Sequence, residues 1–482
     1  MKPSRTATQL APRRFRGFAR TALALGAVVV CCTTIACGQA PPTEKLAAPS
    51  EPQVRRSGED WTQWRGPRSN GIAAQTALPA KWPAAPLEPR WRVPLGEGWT
   101  SPVVASGRVY TVDRKDTVER SAAYDADTGK LLWERTSPVD FDPHQVGRRH
   151  GNGPKSTPAF ADGLVYTLGI SGRLQCFKAE SGEPVWNSFF PEQFGSPIAL
   201  PEGRAYVVGE DHVVVPIAPG RGGESRGGLV PLFGYTCSPL VFGDLLIAAT
   251  GGTSDVERRH AITAFERRTG KVAWQALEEH VSYSSPVPAE FGGVRQVVVP
   301  TGPHLVGLEL TTGKKLWSVP FQIQYDETIG TPVVTGDLVL ITATGQPLSA
   351  WRITKNAAGE FAATEAWSNL DLSSYLSSMV VVGDYVYGMN DGGEFHCLKL
   401  ADGKTIWRGG SHGYYTTPVV AGDQILVLNE RGKLDVIAVN PEKYEPLASL
   451  QIAKEYSWTS PAIVGNRIYI RSQRALLCFE LK

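Results

Sequence analysis

Five times along this chain a glycine is followed four residues later by a tryptophan in the same setting: Asp125–Trp133 (DADTGKLLW), Lys178–Trp186 (KAESGEPVW), Glu266–Trp274 (ERRTGKVAW), Glu309–Trp317 (ELTTGKKLW) and Lys399–Trp407 (KLADGKTIW). A glycine between two alternating apolar runs supplies the positive φ of a tight hairpin. The tryptophan opens the next strand and is large enough to wedge neighbouring sheets apart. A second phrase precedes each copy: Ser or Thr, Pro, apolar residues, a Gly turn and another alternating run, as in SPVVASGRVYTV from Ser101 and TPVVTGDLVLIT from Thr331. Each unit thus holds four short strands over about forty to fifty residues, the period of a propeller blade.

Unit starts at Ser101, Thr157, Ser238, Ser285, Thr331, Ser377, Thr417 and Ser460 predict an all-β, eight-bladed β-propeller. The gap between Thr157 and Ser238 is nearly double the others. Residues 190–232 are expected to form an inserted hairpin and loop, the rival being a ninth, degenerate blade opened by Ser196-Pro197. The last unit runs out at Leu477-Cys478-Phe479-Glu480-Leu481 without a fourth strand, and the stretch around Trp91 is expected to supply it. Closing the ring in that way removes an open sheet edge.

The first 36 residues carry Lys2, Arg5, Arg13, Arg14, Arg16 and Arg20, no acid, and a short apolar run from Thr21 to Val30. This is the pattern of an export signal. The following Ala36-Cys37-Gly38 resembles a bacterial lipoprotein cleavage box, with Cys37 as the lipidated first residue. Thr34 stands where that box usually has Leu, and plain cleavage near Ala36 is the alternative. Residues 37–58 read as a disordered tether and 59–482 as the propeller. Removing the six signal cations leaves 43 basic against 47 acidic residues, so no nucleic-acid-binding balance remains. The expected location is the periplasmic face of a membrane. Gly38 is not the Asp associated with inner-membrane retention, which favours the outer membrane. A monomer is expected.

The repeat phrases, with the Gly-Lys-x-x-Trp ending and the opening Asp60-Trp61-Thr62-Gln63-Trp64-Arg65-Gly66-Pro67, resemble the PQQ-like (pyrroloquinoline-quinone-type) repeat propellers of secreted bacterial proteins. That resemblance implies the fold over residues 89–482 and leaves two functions open. Some members are quinone-dependent alcohol and sugar dehydrogenases; BamB, also a member, is a non-catalytic scaffold lipoprotein of outer-membrane assembly. A dehydrogenase of this type brings an adjacent cysteine pair over the quinone and Glu, Asn and Asp around Ca²⁺. After loss of Cys31 and Cys32 the chain keeps only Cys37, Cys176, Cys237, Cys397 and Cys478, none adjacent. Asp326 and Glu327 are read as a solvated loop rather than a cation site. The preferred reading is therefore a lipid-anchored, non-catalytic envelope propeller binding other envelope proteins or an extracytoplasmic ligand, without catalytic residues or a metal. The alternative is a PQQ- and Ca²⁺-dependent alcohol or sugar dehydrogenase.

Cys176 and Cys397 stand six residues before the hairpin Gly, where other units have Ala123, Ala264 and Gly307. They are expected to be small core fillers, as is Cys478, and Cys237 a buried thiol. The loop His144–Lys155 offers Arg148, Arg149, His150, Asn152 and Lys155 to an anion, or is an ordinary polar loop. Two residues before the eight unit starts stand Trp99, Lys155, Thr236, Tyr283, Ile329, Tyr375, Tyr415 and Trp458; five are aromatic in a chain that is 9% aromatic. All eight are expected to ring one mouth of the central channel. The candidate rim residues are Trp99, Lys155, Tyr283, Tyr375, Tyr415 and Trp458, suited to a planar ligand or a peptide, or else packed only among themselves.

Overall fold

In a computed structural model, residues 59–481 are described, except 75, 77, 84–86, 140, 142, 144–147, 195–197, 201–203, 209–213, 218–232, 252–259, 322 and 324–327. The signal, Cys37, the tether, His144, Asp326 and Glu327 lie outside the described residues. Eight blades of four antiparallel strands surround one axis, and blade 7 gains a fifth, parallel strand, Ile72–Ala73, beside its inner strand. Their innermost strands are Val103–Ala105, Ala159–Ala161, Leu240–Phe242, Val287–Phe291, Val333–Thr335, Val380–Val382, Val419–Ala421 and Ala462–Val464, for blades 1 to 8. These strands are largely buried, and that of blade 8 packs beside that of blade 1.

Blade 8 takes its outer strand from the start of the propeller. Trp91–Pro94 pairs antiparallel with Ala475–Glu480, with Trp91 opposite Cys478. Arg467 bridges Asp127 of blade 1 and Glu480 of blade 8 across the same seam.

The hairpin glycine has two jobs. Gly182 sits at φ +69°, and its Cα lies against the Trp133 ring of the preceding blade, so that a Cβ would stand 2.5 Å from that indole. The Trp133 indole N–H donates to the Ala179 carbonyl of the same hairpin at 2.9 Å. Trp186, Trp274 and Trp407 repeat the dock on Arg267, Leu310 and Asn440 carbonyls, and Trp91 docks on Ala126 at 3.2 Å. Trp367, hidden from the repeat phrase, docks on Leu400 at 2.8 Å. Trp317 is the exception. Its neighbour in blade 5 turns through Asn356–Glu360 instead of the usual phrase, and the indole donates within its own blade to Gln296 Oε1.

Each small residue faces its blade's tryptophan directly: Ala123, Cys176, Ala264, Gly307 and Cys397 are the cross-strand partners of Trp133, Trp186, Trp274, Trp317 and Trp407. The filler reading of the cysteines therefore has a geometric cause. Cys176, Cys237, Cys397 and Cys478 are free and buried. Burial pushes the first, second and fourth thiols up to about 12 and Cys397 to about 11. Thiolate is the reactive form, so all four resist iodoacetamide in the native protein and alkylate only on unfolding, as peptide mass mapping would show; native labelling of any of them contradicts this packing.

Two sequence expectations need correction. The insertion between blades 2 and 3 is not a simple hairpin: after a short helix Phe190–Phe194, strands Ile198–Leu200, Arg204–Val208 and Val214–Ile217 form a three-stranded antiparallel sheet. It is no ninth blade, because the inner strands of blades 2 and 3 pack directly together. Blade 6 starts at Ser378, not Ser377. Ser378 stands two residues before its inner strand, as Thr331 does, with Met379 in the place of the usual Pro.

Candidate functional site

The blade-start hydroxyls form a belt around the axis. The Ser101 N–H donates to Thr157 Oγ1, Thr157 N–H to Ser238 Oγ, Ser238 N–H to Ser285 Oγ, and Thr331 N–H to Ser378 Oγ, at 2.9–3.2 Å. Ser460 N–H donates to Ser101 Oγ and links blade 8 to blade 1. Ser or Thr recurs here because a one-carbon hydroxyl satisfies the neighbouring blade's backbone donor where no sheet ladder reaches it.

One end of the channel is crossed by the opening motif. Trp61 exchanges backbone hydrogen bonds with Val104 of blade 1, the Thr62 carbonyl accepts from Phe160 of blade 2, and Gln63 Oε1 accepts from Val241 of blade 3. The Trp64 indole N–H donates to Thr331 Oγ1 at 2.9 Å, Arg65 to the Met379 carbonyl, and Val420 of blade 7 to the Gly71 carbonyl. The strap thereby ties together blades that are far apart in sequence. Trp64 also lines a cavity of about 560 Å³.

Trp99, Lys155, Thr236, Tyr283, Ile329, Tyr375, Tyr415 and Trp458 all line this one cavity. With blade 6 starting at Ser378, Leu376 and not Tyr375 holds the repeat position, and the pattern has four aromatics instead of five; Tyr375 still reaches the cavity from one residue earlier. The aromatics form a continuous arc. Trp99 stacks on Trp458 with centroids 4.3 Å apart, Trp458 on Tyr415 at 4.5 Å, and Tyr415 meets the edge of Tyr375 at 6.1 Å. Such contacts hold the rings rigid. The rings that line the cavity are thus also the rings that pack on one another.

The polar loop between blades 1 and 2 delivers three further groups. His150 lies among Trp458, Tyr415 and Phe233, at 5.2, 6.1 and 5.2 Å, and its carbonyl accepts the Trp99 indole N–H at 2.8 Å. Arg149 donates to His150 Nε2 at 3.0 Å and reaches the Tyr375 hydroxyl at 3.4 Å. Lys155 Nζ donates to the Phe233 carbonyl at 3.2 Å. Asn152 is turned to another task, its carbonyl accepting from Arg114, and of Arg148 only its place in a 3₁₀ turn is described. Phe233 and Trp64 escaped sequence reading because neither belongs to a repeat position; only the opening motif hinted at the latter.

Burial, with help from Arg149 and Lys155, pulls the His150 imidazole down to about 4. Burial also lowers Lys155 to about 7 against the opposing pull of Glu119, itself raised by burial to about 7. For His150 the folded chain refuses a proton that the unfolded chain accepts below about 6.5, so its contribution to stability is present above that pH and is lost as pH falls toward 4. An imidazole NMR titration should show a midpoint near 4, moving upward in Arg149→Gln. An unshifted midpoint near 6.5 would mean a solvated ring outside the arc.

The donor set does not fit calcium. Among the described residues the cavity is lined by hydroxyls, aromatic rings, His150, Arg149 and Lys155, without an Asp, Glu, Asn or Gln oxygen, whereas Ca²⁺ takes six to eight oxygens with carboxylates prominent. Among the described residues no three His, Cys, Asp or Glu side chains gather to hold a metal.

Fold and repeats define a PQQ-like repeat β-propeller. The family profile described as outer membrane protein assembly factor BamB matches residues 73–140, 120–225 and 230–409, and the chain belongs to that family. It is 23% identical over 382 residues to the outer membrane protein assembly factor BamB of Shewanella oneidensis, covering 73% of this chain and 89% of that protein. The crystal structure of BamB from Moraxella catarrhalis shares the fold at TM-score 0.52 and 16% identity, over 82% of this chain and all of that one. The computationally designed Ika8 protein gives the same TM-score at 12% identity, over 82% and 98% of the two chains.

Proposed function

We propose that this protein is a non-catalytic scaffold of outer-membrane protein assembly, exported, anchored by lipid on Cys37 to the periplasmic face of the outer membrane, and working as a monomeric binding platform. The observation that carries this reading is the family match from residue 73 to 409 together with coverage of 89% of the curated relative. The site adds physical support. A rigid aromatic rim above a ring of hydroxyls suits recognition of a ligand or peptide, and the lack of a carboxylate among the described lining residues speaks against the PQQ- and Ca²⁺-dependent dehydrogenase alternative.

The test is purification of the tagged full chain from envelopes solubilised in mild detergent. The expected result is fractionation with the outer membrane and recovery of the outer-membrane assembly proteins, with Cys37→Ser moving the chain to the soluble periplasm. A chain that is soluble without Cys37 substitution, or that brings down none of those proteins, overturns the reading.

A further inference from the structure

Trp99 and Trp458, whose rings stack at 4.3 Å, precede blade 1 and blade 8, the two blades that meet where the ring closes. The flanks of both rings are gripped by one residue, Arg471, on the blade 8 strand Arg467–Ser472. Its carbonyl accepts from Ser457 Oγ at 2.8 Å and from Thr459 Oγ1 at 2.7 Å, the residues on either side of Trp458. Its guanidinium crosses into blade 1. Nη1 donates to Thr100 Oγ1, beside Trp99, to the Val112 carbonyl, and to Thr111 Oγ1 at 3.2 Å; Nη2 reaches the Gly96 carbonyl at 3.4 Å. Gly98, on the other side of Trp99, leaves the guanidinium its room, since a Cβ there would stand 2.4 Å from Nη2.

The repeat does not ask for an arginine here. The fifth residue of the second strand is Val112, Leu168, Ala249, Thr342, Met389 and Leu428 in blades 1, 2, 3, 5, 6 and 7. Arg471 is fully buried, and these bonds go to neutral oxygens. Burial pulls its pKa down to about 10 against the attraction of Asp113, so it remains charged at neutral pH. Desolvating a guanidinium is costly, and a buried cation is weak evidence for stability. A planar fork that reaches several acceptors at once is suited instead to fixing geometry.

We propose that Arg471 is the positioning residue of the cavity rim: it sets the Trp99–Trp458 stack, so that the joint closing the ring also shapes the cavity. Arg471 is not itself a lining residue and acts through Trp99 and Trp458, which are. Without its donors, Thr100 and the Val112 carbonyl remain bonded to each other at 2.9 Å, so the chain folds, but nothing ties the Trp99 flank to the Trp458 flank.

Stacked indoles couple their excited states and give a two-signed couplet in far-UV circular dichroism. In the purified mature chain this signal is read as the difference between a protein and its Trp458→Phe counterpart. The couplet is expected in the wild type and is lost in Arg471→Met, which keeps the side-chain length and removes the donors, and in Thr100→Val, which removes the acceptor beside Trp99. Unfolding of both variants stays cooperative. Trp91→Ala, which weakens the same joint elsewhere, keeps the couplet. Retention of the couplet in Arg471→Met, or its loss in Trp91→Ala as well, overturns the proposal; if Arg471→Met does not fold, Thr100→Val decides in the same way. The outcome does not depend on whether the chain recovers outer-membrane assembly proteins, so this proposal and the scaffold reading fail separately.

Discussion

Trp91→Ala lowers the unfolding free energy by about 3–5 kcal/mol, the range for removing a buried large aromatic. Trp91 is 9% exposed, pairs with Cys478 across the closing strand, tilts against Tyr469 at 6.0 Å and docks on the blade 1 hairpin through the Ala126 carbonyl. It therefore holds two joints at once: the last strand to its sheet and blade 8 to blade 1. Tyr469 donates to the same carbonyl and cannot fill the volume an indole leaves. Chemical denaturation monitored by circular dichroism measures the loss. In native-state hydrogen exchange, the Trp91–Pro94 and Ala475–Glu480 amides should lose protection before those of blade 3. A loss under about 1 kcal/mol would mean that the closing strand is dispensable, because surface positions give changes of that size.

The second large effect separates the two roles of the hairpin glycine. Gly182→Ala places a Cβ against Trp133 at a positive φ. The left-handed backbone costs an L-residue about 1–2 kcal/mol and overpacking a further 1–3 kcal/mol, a combined loss of about 2–5 kcal/mol. Gly336→Ala is the control. Its φ is +56°, but nothing lies within 4 Å of the added carbon, so only the backbone cost of about 1–2 kcal/mol applies. The difference in denaturation midpoint between the two variants reports the docking contact itself. Equal losses would mean that the glycines serve the turn alone.

Much of this architecture is legible in the sequence because docking needs both a Gly without a side chain and a Trp at a fixed distance, and such a pair leaves a periodic trace. Closure was legible for a related reason: a final unit with three strands demands a fourth from elsewhere. What escaped were the places where the repeat is kept by other residues. Trp367 docks as its relatives do, yet its own hairpin departs from the phrase. Met379 in the place of Pro hid the start of blade 6 and shifted its rim position from Leu376 to Tyr375. Blade 7 has Ala448 opposite Val436, where other blades have Trp opposite a small residue. Trp82, donating to Gln424 from the opening segment, packs into that part of the core instead. The rim was readable from register alone, whereas the Trp64 and Phe233 contributions to the cavity depend on segments that follow no repeat.

The strap from Trp61 to Gly71 explains why one segment carries so many polar and aromatic residues close together. It satisfies backbone groups of blades 1, 2, 3, 6 and 7 and brings Trp64 into the cavity lining.

Scaffold and quinone enzyme are separated most directly by incubating the purified mature chain with PQQ and Ca²⁺, then following cofactor absorbance and dye-linked oxidation of alcohols and sugars. The scaffold account predicts no saturable, calcium-dependent uptake of the quinone and no dye reduction above that of free quinone. Stoichiometric uptake with turnover would contradict it.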